Sequence, residues 1–115
     1  MILRSVNQLP FTEVSHNTRI PKKVLLANSE ISGITNFSIA HFPVGECARA
    51  HTHHDMTEVF YVNRGTANIR IDESDHPLSA GDCIVVEPGE SHELSNTGDT
   101  VLELIYFGVV TEPKQ

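Results

Sequence analysis

Positive charge is scarce in this chain: eight Lys and Arg stand against fifteen Asp and Glu, a formal net charge of −7. Apart from Lys22-Lys23 the basic residues are scattered, so nothing gathers to meet a phosphate backbone or an anionic bilayer. Nucleic acid and membrane are therefore excluded as main partners. Long apolar runs are missing too. Met1-Ile2-Leu3-Arg4 is too short an apolar stretch for a signal peptide and no segment is long enough to span a bilayer, which leaves the cytoplasm as the expected compartment. Cysteine is limited to Cys47 and Cys83, far apart and outside any CxxC pattern. Two reduced thiols are the expectation there, with a structural or regulatory pair as the alternative.

Helical periodicity is the next absence. Nothing from residue 30 onward sustains a 3.6-residue repeat over three turns, and neither internal repeats nor low-complexity tracts appear. What is present is a series of short β-rich runs separated by turn residues. Ile34–Phe42 ends at Pro43-Val44-Gly45, Cys83–Val86 follows Gly81-Asp82, and Val101–Val110 follows Asn96-Thr97-Gly98-Asp99. Glu58–Val62 and Ala67–Ile71 flank Asn63-Arg64-Gly65-Thr66, which reads as a hairpin, and Asp72-Glu73-Ser74-Asp75 reads as the next turn. Many short strands with regular turns predict an all-β sandwich or barrel. At 115 residues the chain is one domain, expected to bury about two-thirds of its unfolded surface. Its main body is expected over 31–115. Residues 1–30, interrupted by Pro10 and Pro21 with Val24–Leu26 as their clearest strand, are expected to form an arm that packs on the barrel or on a second subunit. A homodimer is the corresponding expectation.

The residues that carry chemistry fall in two clusters. The first runs Gly45, His51, His53, Glu58, Gly65; the second runs Gly81, Gly89, His92, Asn96. Histidines two apart share a face on a strand, so His51 and His53 read as a β-borne pair rather than a helical metal motif. With Glu58 and His92 they make three imidazoles and one carboxylate, a ligand set for a divalent transition metal. The plainer alternative is surface histidines on an edge strand. Against it stands Glu58, whose parity with Phe60 and Val62 puts a carboxylate on an apolar face, a costly arrangement unless it is paired or metal-bound. Leu94 has the corresponding place beside His92. His54 alternates away from His53 and reads as a surface residue, as do His16 and His76; His41 is a weak outer-sphere candidate. Arg49 shares the parity of His51 and could pair a substrate carboxylate, although an ordinary surface arginine fits as well.

The first cluster resembles the first signature motif of the cupin superfamily, G-x5-H-x-H-x4-E-x6-G, at every fixed position. The second resembles G-x5-P-x-G-x2-H-x3-N at Gly81, Gly89, His92 and Asn96, with Glu87 where the proline is expected and Pro88 one place later. The chain is similar to small single-domain manganese-type cupins, which differ by a fourth histidine at the position of Glu58. The resemblance implies a double-stranded β-helix, or jelly-roll barrel, with a metal held in its mouth by the residues matching His51, His53, Glu58 and His92. Such a donor set without thiolate suits Mn, Fe, Ni, Co or Cu, and zinc also fits it. Its net charge of about +1 and two open positions in a six-coordinate ion would accept a bidentate oxygen ligand. The expected function is a metal-dependent enzyme on a small oxygenated molecule, leaning to dioxygenase or oxidative cleavage over isomerase or lyase chemistry because no side chain beyond the ligands stands out as a base. The alternative is a sensor or binding protein that holds a ligand without turnover.

Overall fold

A computed structural model describes residues 1–15 and 17–111. His16 and 112–115 lie outside the described residues, and the surface reading of His16 with them. Among the described residues ten strands follow a short 3-10 turn at Val6–Gln8: β1 Thr12–Val14, β2 Asn17–Leu26, β3 Ile34–Phe42, β4 Cys47–Thr52, β5 Met56–Arg64, β6 Thr66–Ile71, β7 Ser74–Ser79, β8 Cys83–Val86, β9 Ser91–Asn96 and β10 Leu102–Val110. No α-helix occurs among the described residues. The strands form a six-stranded sheet, ordered β1-β2-β3-β10-β5-β8, and a four-stranded sheet, ordered β4-β9-β6-β7, with antiparallel pairing throughout. The two sheets form a jelly roll without closing into one hydrogen-bonded ring.

The core follows from strand alternation. Ala40 and Phe42 on β3, Phe60 and Val62 on β5, Leu102 and Leu104 on β10 turn inward from the large sheet. Ala48, Ala67, Ile69 and Leu94 turn inward from the small one. All are under a tenth exposed, so the apolar contacts that hold the sheets together are made by every second residue, as period-two patterning requires. Glu58 at 8 % exposure and His92 at 2 % lie among them, two ionisable side chains buried with the neutral polar residues Ser38 and Asn96.

Several expectations are met closely: β3 and β8 coincide with the runs read from the sequence, and β10 begins one residue later than expected. The expected hairpin across Gly65 is not one. β5 pairs with β10 and β8 in the large sheet, whereas β6 pairs with β7 and β9 in the small sheet. Gly65, at φ 91°, turns a corner from one sheet to the other. A Cβ there would sit 3.0 Å from the Val101 carbonyl oxygen and 3.1 Å from Leu102 Cα, so backbone occupies the space a side chain needs. The Asp72-Glu73 turn is tighter than expected, because Ser74 already pairs with Ile71 and the polar run Ser74–Ser79 is a strand. His76 is accordingly on β7, not in a turn, and it is exposed. At the N-terminus β2 pairs with β3 through Lys22 to Ala40 and Val24 to Ser38, so the large sheet continues into residues before 30.

Candidate metal centre

The four candidate ligands come from both sheets. β4 and β9 are neighbours in the small sheet and place His51 directly opposite His92. His53 follows one residue after the end of β4, where its carbonyl accepts the Gly89 N–H at 2.8 Å and ties the two histidine-bearing segments together. Glu58 reaches in from β5 of the large sheet. The imidazole centroids of His51 and His92 are 4.2 Å apart, those of His51 and His53 4.9 Å, and those of His53 and His92 5.6 Å. One donor atom from each of the four residues lies within 4.8 Å of the others, a grouping that could hold a metal ion. The sheets thus converge three imidazoles and one carboxylate on one point.

Hydrogen bonds aim the rings. His51 Nδ1 contacts the Arg49 carbonyl at 2.9 Å and His92 Nδ1 contacts the Glu90 carbonyl at 3.3 Å. Only an N–H can make those contacts, so in the neutral rings the Nδ1 proton is fixed and the Nε2 lone pair turns away from it. For His92 that direction is Glu58: Nε2 lies 3.0 Å from Glu58 Oε1, which is also 3.3 Å from His53 Nε2. Both His92 Nε2 and Glu58 Oε1 are buried and lack a hydrogen-bond partner. Two lone pairs held face to face away from water need a cation or a proton between them. Burial pulls the His92 pKa down, but the Glu58 carboxylate and then the Glu90 carbonyl outweigh it, leaving the pKa raised. The residues therefore fit a divalent ion, with protons as its competitors.

The cluster opens into a cavity of about 470 Å³, within the range of small-molecule sites. Phe42, Met56, Phe60, Leu94, Leu104 and Tyr106 give it apolar walls. Phe60 stacks on Tyr106 with centroids 5.7 Å apart and lies 6.0 Å from the His92 ring, which fixes the wall beside the candidate ligands. Burial pushes the Tyr106 hydroxyl up to about 12, with Ser38 hydrogen-bonded to it. Sequence reasoning missed three ionisable groups on the cavity wall, Lys22, Asp55 and Tyr106, and the neutral polar residues Ser15, Asn28, Ser29, Thr35 and Asn36 beside them.

Arg49 does not join them. Ala48 pairs with Leu94 and His51 with His92, so β4 carries one residue more than β9 between these pairs. This bulge turns both Arg49 and Ala50 outward and cancels the parity expected from alternation. Arg49 lines a separate shallow groove with Asn17, Arg19 and Glu46. His41 also faces away from the centre, its Nε2 3.1 Å from Glu103 Oε1. His54 is exposed, as alternation predicts. Cys47 on β4 and exposed Cys83 on β8 are both free thiols.

Asn96, the last residue of the second motif, does structural work that its type alone did not announce. It is 5 % exposed, and its amide nitrogen donates to the carbonyls of Phe42 at 2.9 Å, Pro43 at 3.2 Å and Thr100 at 2.9 Å. Its oxygen accepts the Gly98 N–H at 2.9 Å. One side chain thereby fastens the end of β3, the turn into β4 and the loop before β10.

Residues 38–108 match the family model described as the cupin domain, which covers more than half of the chain. The chain belongs to the cupin family. Among curated proteins, this cupin is 33% identical over 69 residues to an oxalate-binding protein of Thermotoga maritima, an alignment covering 60% of this chain and 57% of that protein. It is 31% identical over 62 residues to protein SchB of Streptomyces halstedii, covering 54% of this chain and 45% of that one. The matched stretches thus span about half the length of these relatives. Among solved structures, a Thermotoga maritima protein described as a predicted oxalate decarboxylase superposes with a TM-score of 0.87 at 24% identity, covering 96% of this chain and 100% of that chain. KdgF from Halomonas sp. superposes with a TM-score of 0.74 at 18% identity over 92% of this chain and 91% of its own. At those identities the structural likeness establishes the fold alone.

Proposed function

We propose that this cupin holds a divalent transition metal on His51, His53, Glu58 and His92 and uses it to bind, and act on, a small acid that chelates through two oxygens. Oxalate and short α-hydroxy or α-keto acids are the chemical class. The observation that carries the reading is the buried pair of unpartnered donors, Glu58 Oε1 and His92 Nε2, aimed at one point at the edge of an apolar cavity. A bound ion there supplies Lewis acidity and, if redox-active, a place for dioxygen beside the substrate. The chain's own part is to orient the imidazoles through the Arg49 and Glu90 carbonyls and to surround the site with Phe60 and Leu94, which exclude water. The name of the Thermotoga maritima relative, an oxalate-binding protein, supports the ligand class.

The expected preference for oxygen chemistry rested on the lack of a candidate base. Asp55 and Tyr106 on the cavity wall remove that ground, so chelation of the acid is the core of the reading and consumption of dioxygen is its test. Metal content of tag-free protein, measured by inductively coupled plasma mass spectrometry, is expected to be near stoichiometric and to fall to background in His51→Ala/His53→Ala and in His92→Ala. Oxalate is expected to bind saturably by calorimetry only to the metal-loaded protein. Full metal occupancy in those folded variants, or equal oxalate binding after chelation, would overturn the proposal. Oxygen uptake on adding the bound acid marks an oxygenase; stable binding without product over hours marks the binding protein.

A further inference from the structure

Lys22 and Lys23 are adjacent on β2 and so point to opposite sides of the large sheet. Lys23 has an evident structural role. Its Nζ donates to the Val6 carbonyl at 3.0 Å and lies 4.5 Å from the centroid of the Phe11 ring, pinning the N-terminal segment to the outer face. Lys22 turns the other way. It stands opposite Ala40, which is fully buried, and two residues from fully buried Ile20, on the inner face of the sheet. Its side chain lines the same cavity as the four candidate ligands. Among the described residues its ammonium has neither a hydrogen bond nor an ion pair, the backbone carbonyl being the only Lys22 atom so engaged by a side chain.

A half-buried cation on the cavity wall with no counter-charge among the described residues leaves its charge uncompensated. The two carboxylates that also line the cavity do not relieve it. Glu58 is turned to His53 and His92, and Asp55 forms no ion pair among the described residues. The rest of the surface cannot supply attraction for an anion either, because the protein as a whole carries a formal charge of −7. We infer that Lys22 is a specificity residue: it pairs with a second anionic group, a distal carboxylate, on an acid whose other end chelates the metal. The substrate class is then a hydroxy or keto diacid rather than a monoacid. This rests on the proposed metal centre, since Lys22 reads the far end of a ligand that the metal anchors.

The test compares 2-hydroxysuccinate and 2-hydroxyglutarate with 2-hydroxybutyrate and 2-hydroxyvalerate, pairs of equal chain length in which a methyl replaces the distal carboxylate. Binding to Mn(II)-loaded wild type, Lys22→Met and Lys22→Arg is read by calorimetry, with metal content and melting temperature checked for each. One of the diacids is expected to bind wild type about tenfold more tightly than its monoacid partner, the scale of one charge-assisted pair. Lys22→Met should bind the two alike, with the monoacid affinity and metal content unchanged, while Lys22→Arg keeps a preference. Equal binding of diacid and monoacid by wild type, or a preference that survives in Lys22→Met, overturns the role of Lys22 and leaves the metal reading intact because the monoacid still binds only with metal. Failure of all four acids to bind metal-loaded wild type overturns the proposed function, and the inference with it.

Discussion

Replacing Asn96 by alanine separates architecture from chemistry within the second motif, since Asn96 and His92 lie on the same strand and face the same side. The amide has two protons to share among the carbonyls of Phe42, Pro43 and Thr100, and its oxygen holds the Gly98 N–H. Three full hydrogen bonds are therefore at stake, each with a net contribution of about 1 kcal/mol, and burial at 5 % exposure keeps water from replacing them. The expected loss is about 3 kcal/mol. For a domain of this size that corresponds to a fall of about 12 °C in melting temperature. Asn96→Asp should be worse than alanine, because it holds a carboxylate against three carbonyl oxygens. The measurement is a calorimetric melt in excess chelator, so that bound metal contributes nothing, followed by metal analysis of the folded variant below its transition. A fall under about 3 °C, or loss of metal with unchanged melting, would show that Asn96 belongs to the centre and not to the frame that carries it.

Two further predictions rest on the same structure. Gly65→Ala and Gly45→Ala both force a side chain to positive φ, 91° and 82°, but only at Gly65 does backbone block the Cβ; Gly45 should lose about 1 kcal/mol and Gly65 roughly twice that or more by denaturant melts, and equal losses would contradict the sheet-to-sheet corner. In a Tyr61→Phe variant Tyr106 is the sole tyrosine, and its ultraviolet phenolate signal should appear near pH 12 rather than 10. Its raised pKa means that the folded state keeps the proton longer than the unfolded chain. That stability is complete below pH 10 and is lost as pH rises toward 12, by up to about 3 kcal/mol; titration near 10 in still-folded protein would refute the burial of the hydroxyl.

Legibility in the sequence followed how much each segment depends on its neighbours. β3 and β8 could be read to the residue because β-branched and aromatic runs end there at Pro43 or begin after Gly81-Asp82. β7 could not: Ser74–Ser79 is an edge strand with only Leu78 partly buried, so its sequence carries no alternation, and Pro77 is tolerated because the edge leaves one side unpaired. The hairpin misreading at Gly65 has the same root. Glycine in a turn says that the chain reverses or bends, whereas which strand it then meets depends on residues far away, here Leu104 beside Val62 and Leu94 beside Ile69. At the candidate centre the four candidate positions were legible from the spacing of the two motifs, even though β4 is bulged before His51 and ends before His53. Arg49 was misplaced because a bulge adds one residue and leaves no mark in composition.

Lys22 shows the converse case. Its parity with Ile20 and Val24 was present in the sequence, yet Pro21 obscured the strand that would have given that parity a direction. Once β2 is paired with β3, the Lys22-Lys23 step turns from a small basic cluster into two unrelated charges on opposite faces, one tethering Val6 and one lining the cavity. The same sheet thus supplies Glu58 to the cluster of donors and Lys22 to the cavity wall, while the small sheet supplies the imidazoles. Lys22 and Glu58 enter the cavity from strands β2 and β5, which β3 and β10 separate in the large sheet, so the two side chains approach a ligand from different parts of its wall. A ligand that chelates at the donors and also meets Lys22 needs a second anionic group beyond its chelating end, which oxalate, with both carboxylates taken up in the chelate, does not have.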